Sequence, residues 1–240
     1  MSKIDLSVVI PAYNEETNIR LGVLDKVSRF LERASYQWEA IIVDDGSTDG
    51  TPELLDAFVK TNPGFSVMHN PHQGKASTVI TGMLGSRGSI VLFTDLDQAT
   101  PITELTNVLP WFEKGYDVVI GSRSGRRQGA PLTRRIIARG FMILRGSILG
   151  LHGIVDTQCG FKAFRAPVAH DIFHRLKLYG SRHTVSGSMV TAGFDIEVLF
   201  LARKLGYKIK LTKLAEAREF RETLNMENTK TSVQEKLGNL

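Results

Sequence analysis

An α/β fold on a mainly parallel sheet is predicted by two observations. Short β-branched segments alternate with helix-length segments through the first half of the chain. The short segments are apolar throughout rather than at every second position, as in strands covered on both faces. Parallel neighbours require crossovers of helical length, which is what separates these runs. A third observation bounds the answer: 240 residues, 42% hydrophobic, suffice for one large domain with its own core and exclude a chain disordered throughout.

The predicted strands are LSVVI (6–10), AIIVD (40–44), FSVMH (65–69), IVLFT (90–94) and YDVVIG (116–121), joined by right-handed crossovers. Between the first two, Ile19, Leu24, Val27, Leu31 and Ala34 keep roughly helical spacing while Arg20, Lys26, Arg29 and Glu32 fall mostly elsewhere, which predicts a helix lying on the sheet. Thr51 before Pro52 and Thr100 before Pro101 each predict a cap followed by the first residue of a helix. Past residue 122 come a Gly/Arg-rich stretch, a basic helical pattern, DTQCGFKAFR, and GFDIEVLFLARKLGYKIKLT. The last predicts a helix ending near Gly206 and a short strand at 208–212. One domain over 1–221 is expected, with a polar tail, frayed or a mobile helix, over 222–240.

Composition narrows the function classes. The single cysteine, Cys159, excludes an internal disulfide or a cysteine-rich metal site and favours a reducing, cytoplasmic setting. MSKIDLSVVIPAYNEE lacks the pattern of a secretory signal. The most membrane-like stretch, 136–155, carries Arg139, Arg145 and His152, so it is not expected to span a membrane, though it can lie on a surface. Net charge is +5, and no acidic residue falls between Asp117 and Asp156, where Arg123, Arg126, Arg127, Arg134, Arg135, Arg139 and Arg145 all lie. The six histidines show no regular metal spacing, and His170 and His174 are expected at the surface.

Three predicted strand ends carry candidate chemistry. In FTDLDQATP, Asp95 and Asp97 fall on one side and Leu96 on the other if the strand persists. Two parallel carboxylates repel unless a cation sits between them, and a hard divalent ion held by one or two carboxylates plus substrate phosphates suits the geometry; an ordinary solvated turn is the plain alternative. In IIVDDGSTDGT, Asp44 and Asp45 precede a Gly46 turn, and a carboxylate there can accept a pyrimidine N–H or a ribose hydroxyl. In VVIPAYNEE, Pro11 is expected to stop the ladder, with Asn14 and Glu15 at the same sheet edge.

In that order and at those distances, VVIPAYNEE, IIVDDGSTDGT, NPHQGKAS and FTDLDQATP resemble the family 2 glycosyltransferases with the GT-A nucleotide-sugar fold. DTQCGFKAFR and GFDIEVLFLARKLGY are similar, more narrowly, to the polyprenyl-phosphate hexosyltransferases, dolichyl-phosphate gluco- and mannosyltransferases among them. The resemblance implies a nucleotide-sugar-binding half (1–121) and an acceptor-binding half (122–221). It places Pro11, Tyr13, Glu15, Lys75 and Asp44 or Asp45 around the nucleotide. It assigns Asp95 and Asp97 to Mg²⁺ or Mn²⁺ and the diphosphate, with Asp97 preferred as direct ligand. Asp156 and Asp195 or Glu197 match acidic positions near the acceptor, where a helix cap or loop cap is the plainer role. Leu96 and Gln98-Ala99-Thr100 depart from many relatives, which leaves base and sugar open between UDP-glucose, slightly favoured, and GDP-mannose.

With that resemblance, the arginine block becomes a candidate site for a polyprenyl phosphate on an anionic membrane. Arg135 and Arg139 lie one turn apart among apolar residues, and Arg123, Arg126 and Arg127 follow a predicted strand. The implied activity is inverting hexosyl transfer at the cytoplasmic membrane face, by a peripheral protein whose oligomeric state the sequence leaves open. A soluble or glycan acceptor is the nearest rival. DLDQAT departs from the D-x-D-x-T of aspartyl-phosphate phosphohydrolases by one place. A nucleic-acid-binding module is disfavoured, because only Phe141 interleaves with the arginines. Neither G-x-G-x-x-G after the first strand nor a complete P-loop is present.

Overall fold

A computed structural model describes residues 3–123, 157–177 and 192–214. Seven strands form one sheet in the order β3-β2-β1-β4-β6-β5-β7: β1 (Leu6–Ala12), β2 (Trp38–Asp44), β3 (Phe65–His69), β4 (Ile90–Thr94), β5 (Val118–Arg123), β6 (Phe161–Arg165) and β7 (Ile209–Leu214). Pairing is parallel except at β6, which runs antiparallel to both β4 and β5. The mainly parallel α/β prediction holds, and the inserted antiparallel strand is the addition to it.

Alternate residues of the sheet feed two cores. Val8, Ile10, Ile42, Leu92, Val119 and Phe161 face one layer, which includes α2 (Val23–Leu31) and α3 (Thr51–Thr61). Val9, Val91, Phe93, Ile120 and Phe164 face the other, built by α4 (Lys75–Gly85), α7 (Ala166–His174) and α8 (Ala192–Lys204). Fully burying each such side chain is worth about 1.5–3 kcal/mol, and a charge at any of these positions would have to be paired to be tolerated.

Three local expectations are corrected. The stretch between β1 and β2 is not one helix but two, α1 (Glu16–Arg20) and α2, because Gly22 takes a left-handed φ of 72° between them. Gly50, not Thr51, caps α3, and the Thr51 hydroxyl instead accepts the Glu15 N–H at 2.8 Å. No α-helix opens at Thr100: Pro101 is extended, and a 3₁₀ turn at Ile102–Glu104 leads into α5 (Leu105–Val108) and α6 (Pro110–Glu113). The Thr100 hydroxyl lies 3.7 Å from the Cys159 sulfur. As expected, α8 ends just before Gly206, at φ 81°, and β7 follows.

The chain lays β2 and β3 on one side of β1 and then returns to lay β4 on the other. Strand order thus reverses between β1 and β4, and the crevice beyond the carboxyl ends of strands at such a point is where open α/β sheets bind ligands. Among the described residues no helix is long and apolar enough to cross a membrane.

Candidate active site

Two loops beyond β1 and β2 lock each other. Asn14, at φ 53°, accepts the Thr48 N–H on Oδ1 at 2.8 Å, and its own N–H donates to the Ser47 hydroxyl at 2.9 Å. The Gly50 N–H donates to Glu16 at 3.0 Å. A non-glycine residue at positive φ costs on the order of 1–3 kcal/mol and persists where surroundings over-determine it, as they do here. Pro11 does not stop the ladder: β1 stays paired with β2 through Ala12, and only its pairing to β4 ends, at Val9.

Glu15 and Tyr13 are thereby fixed at the crevice. Asn18 donates to Glu15 Oε2 at 2.5 Å, and burial, with the nearby Asp97 and Asp95 charges adding, raises the Glu15 carboxyl above its ordinary value of 4.5. The Tyr13 ring stacks on His72 with centroids 4.3 Å apart and planes 20° apart.

The β2 acids are buried and saturated. Asp44 accepts from Ser47 (N–H 3.2 Å, hydroxyl 2.5 Å) and meets His69 Nδ1 at 3.1 Å. His69 also reaches Asp56, at 3.2 Å, and the hydrogen bond to Asp44 holds its imidazole above the ordinary 6.5. Asp45 accepts the N–H groups of Gln73 and Gly74, both at 2.9 Å, and contacts His72 Nδ1 at 2.9 Å. It therefore anchors the loop that leads to Lys75 at the start of α4.

The β4 acids are open. The strand ends at Thr94 and residues 95–98 form a turn, with Gln98 at φ 50° donating its backbone N–H to Asp95 O at 3.2 Å. Leu96 is buried, Asp95 half-buried and Asp97 exposed, and a turn rather than a continued strand sets their directions. Lys75 Nζ donates to Asp95 Oδ1, and Asp97 accepts the Ala99 N–H at 2.9 Å. Gly160 supplies the seat: its carbonyl accepts the Asp95 N–H at 3.2 Å, and a Cβ there would overlap the Asp95 carboxylate. The described residues include no group of three or more His, Cys, Asp or Glu suited to a metal. A pair of hard oxygen donors that leaves most coordination positions to phosphate and water fits Mg²⁺ or Mn²⁺ rather than a softer ion.

Farther along the sheet, Asp195 in the first turn of α8 accepts from Lys162 Nζ at 2.6 Å. Glu197 accepts the Lys177 N–H at 2.8 Å, which ties α8 to the segment after α7. Arg123 ends β5. Asp156, Arg126, Arg127, Arg135 and Arg139 lie outside the described residues, as do the basic segment at 136–155 and the tail. Sequence reasoning missed His69, His72 and Lys162. A lone lysine inside the apolar run CGFKAF was the legible sign of the last.

A model of glycosyl transferase family 2 matches residues 7–173. The dolichyl-phosphate beta-glucosyltransferase of Dictyostelium discoideum is 33% identical over 226 residues, 87% of this chain and 65% of that protein. The enzyme of the same name from Saccharomyces cerevisiae is 34% identical over 223 residues, 83% of this chain and 63% of that protein. The chain thus spans slightly less than two thirds of the length of these curated relatives. Among solved structures, a mannosyltransferase of Pyrobaculum calidifontis in complex with GDP-Man and Mn²⁺ superposes with a TM-score of 0.59 at 20% identity, covering 90% of this chain and 58% of that one.

Proposed function

The chain belongs to glycosyl transferase family 2, and from that membership we propose that it moves a hexose from a nucleoside diphosphate sugar to a polyprenyl phosphate with inversion at the anomeric carbon. The observation that carries this reading is the open Asp95/Asp97 pair beside Lys75, at the reversal point of the sheet. The names of the two relatives support a dolichyl-type phosphate as acceptor and glucose as the sugar, so UDP-glucose is the preferred donor and GDP-mannose the second.

In this mechanism Tyr13 and Glu15, with the loop anchored by Asp44 and Asp45, hold the nucleoside, and Lys75 faces the diphosphate. Asp95 and Asp97 would hold Mg²⁺ or Mn²⁺, which supplies Lewis-acid neutralisation of the departing diphosphate when bound. An acceptor phosphate oxygen forms the new bond to the anomeric carbon. The bond to the diphosphate oxygen breaks, and the nucleoside diphosphate leaves with the electron pair. The acceptor is already an anion and needs no strong base, so Asp195 orients it, with Asp156 and Glu197 as further acids of that half. Arg123, Arg126, Arg127, Arg135 and Arg139 receive the lipid phosphate, and the basic apolar segment rests on the cytoplasmic face of an anionic membrane.

The test is transfer of labelled sugar into an organic phase, using a polyprenyl phosphate, a divalent cation and a panel of nucleotide sugars. Lipid-phase label from UDP-glucose, absent with Asp97→Ala, is the expected result. Metal-dependent release of nucleoside diphosphate without lipid label would replace the lipid by a soluble acceptor.

A further inference from the structure

Lys162 lies in β6 with no solvent exposure at all, in a strand otherwise made of apolar and half-buried residues. Its ammonium donates to the Cys159 carbonyl at 2.6 Å and to Asp195 Oδ1 at 2.6 Å, and faces the Phe93 ring at 5.1 Å. Three directions of the ammonium are thus engaged by one carbonyl, one carboxylate and one ring face. An apolar residue of the same length would fill the space without the cost of removing a charge from water, so packing alone does not account for a lysine.

The topology says where the ammonium points. β6 runs antiparallel to β4, with Phe93 opposite Lys162 and Thr94 opposite Phe161. Cys159 and Gly160 therefore lie beyond the carboxyl end of β4, and Gly160 seats the Asp95 carboxylate. Lys162 reaches from beneath the sheet's end up to this turn, on the face covered by α4 and α8. Asp195, its partner from α8, keeps 16% of its side chain exposed while the lysine keeps none. The ammonium is the buried end of the pair and the carboxylate its accessible end.

We infer that Lys162 is a positioning residue: it grips one carboxylate oxygen of Asp195 and the turn that seats Asp95, so that the acid of α8 is held at a set distance from the Asp95/Asp97 pair. This rests on the proposed role of Asp195 toward the acceptor and adds the residue that fixes its geometry. Without the grip, Asp195 samples other rotamers and the acceptor is misaligned, while nucleotide binding at β1 and β2 is untouched.

Four variants test it: Lys162→Met, Lys162→Arg, Asp195→Asn, and Lys162→Met combined with Asp195→Asn. Turnover is measured with whichever acceptor the wild type uses, alongside UDP affinity and thermal melting. Lys162→Met is expected to lower kcat by roughly tenfold to a hundredfold, the cost of a misplaced reacting group, at unchanged UDP affinity measured without a divalent cation, with Lys162→Arg recovering part of the turnover. The double variant is expected to regain the melting temperature that Lys162→Met loses, since no lone buried charge remains, and to stay as slow as Asp195→Asn alone. Recovery of both stability and turnover in the double variant would make the pair a purely structural element and overturn the inference. So would losses in turnover that multiply independently, or a Lys162→Met enzyme of full activity. Failure of the wild type to use a polyprenyl phosphate bears on the acceptor proposed above, whereas the coupling between Lys162 and Asp195 is read with any acceptor.

Discussion

Two pairs of aspartates stand at the carboxyl ends of β2 and β4, the parallel strands on either side of β1, and their surroundings are opposite. Asp44 and Asp45 are 2% and 3% exposed, and each carboxylate is engaged by hydroxyl, imidazole or backbone N–H groups of the protein itself. Asp95 and Asp97, of the same residue type at an equivalent place, face the crevice, and among the described residues their carboxylates take Lys75 and one turn N–H. A saturated carboxylate has its lone pairs committed and serves as an anchor. An open one carries unspent charge, which draws a cation. Under the function proposed above, the partners each carboxylate already has separate scaffold from chemistry.

The sharpest test of that division replaces one member of each pair by asparagine. Asp97→Asn is expected to cut turnover on the order of 10³-fold while unfolding free energy moves by no more than about 0.5 kcal/mol. Asp45→Asn should do the reverse. Its amide would turn a donor toward the Gln73 and Gly74 N–H groups, stranding buried polar atoms at a cost of about 2–3 kcal/mol, or roughly 5–10 °C in melting temperature for a chain of this size. Paired calorimetry and single-turnover transfer decide it. Equal destabilisation by the two variants would remove the distinction.

How far the sequence reveals this division follows from the range of the interactions involved. FSVMH and IVLFT coincide with β3 and β4, because an apolar β-branched run is a local property. The break at Gly22 was not legible from spacing, since Ile19, Leu24 and Val27 keep one face across two helices as they would across one. Insertion of β6 between β4 and β5 depends on pairing with residues some 40 to 75 positions away, which no window contains. Likewise the strand-end acids were visible, but the donors that saturate Asp45 come from residues 28 and 29 positions on. Lys162 and Asp195 meet only because β6 and α8 share a layer.

A smaller effect should come from disturbing the seat of the open pair. Gly160→Ala puts a methyl group where the Asp95 carboxylate lies. That carboxylate is the end of a rotatable, half-exposed side chain, so it can swing aside at little cost to the fold, and the displacement falls on chemistry. Turnover is expected to drop roughly tenfold to a hundredfold with melting nearly unchanged. A large loss of melting temperature would show instead that the 157–160 turn is a structural element and that Asp95 is not held by it.

The smallest effect belongs to the saturated pair and depends on pH. His69 bridges Asp44 and Asp56, and the hydrogen bond to Asp44, reinforced by Asp56 and opposed by partial burial, raises its imidazole above 6.5. A histidine raised in the folded state contributes stability that is complete below its unfolded value and disappears as pH climbs through the folded one. The wild type should therefore exceed His69→Gln in urea midpoint at pH 6, and the gap should narrow above about pH 7. Because 40% of the side chain is exposed, water screens the pair and the gap stays under about 1 kcal/mol. A gap independent of pH would mean that His69 holds Asp44 by neutral hydrogen bonding and packing alone. A gap that closes as described would mean that the anchoring carboxylate of β2 is itself steadied by a charge, as Asp95 just past β4 is by Lys75.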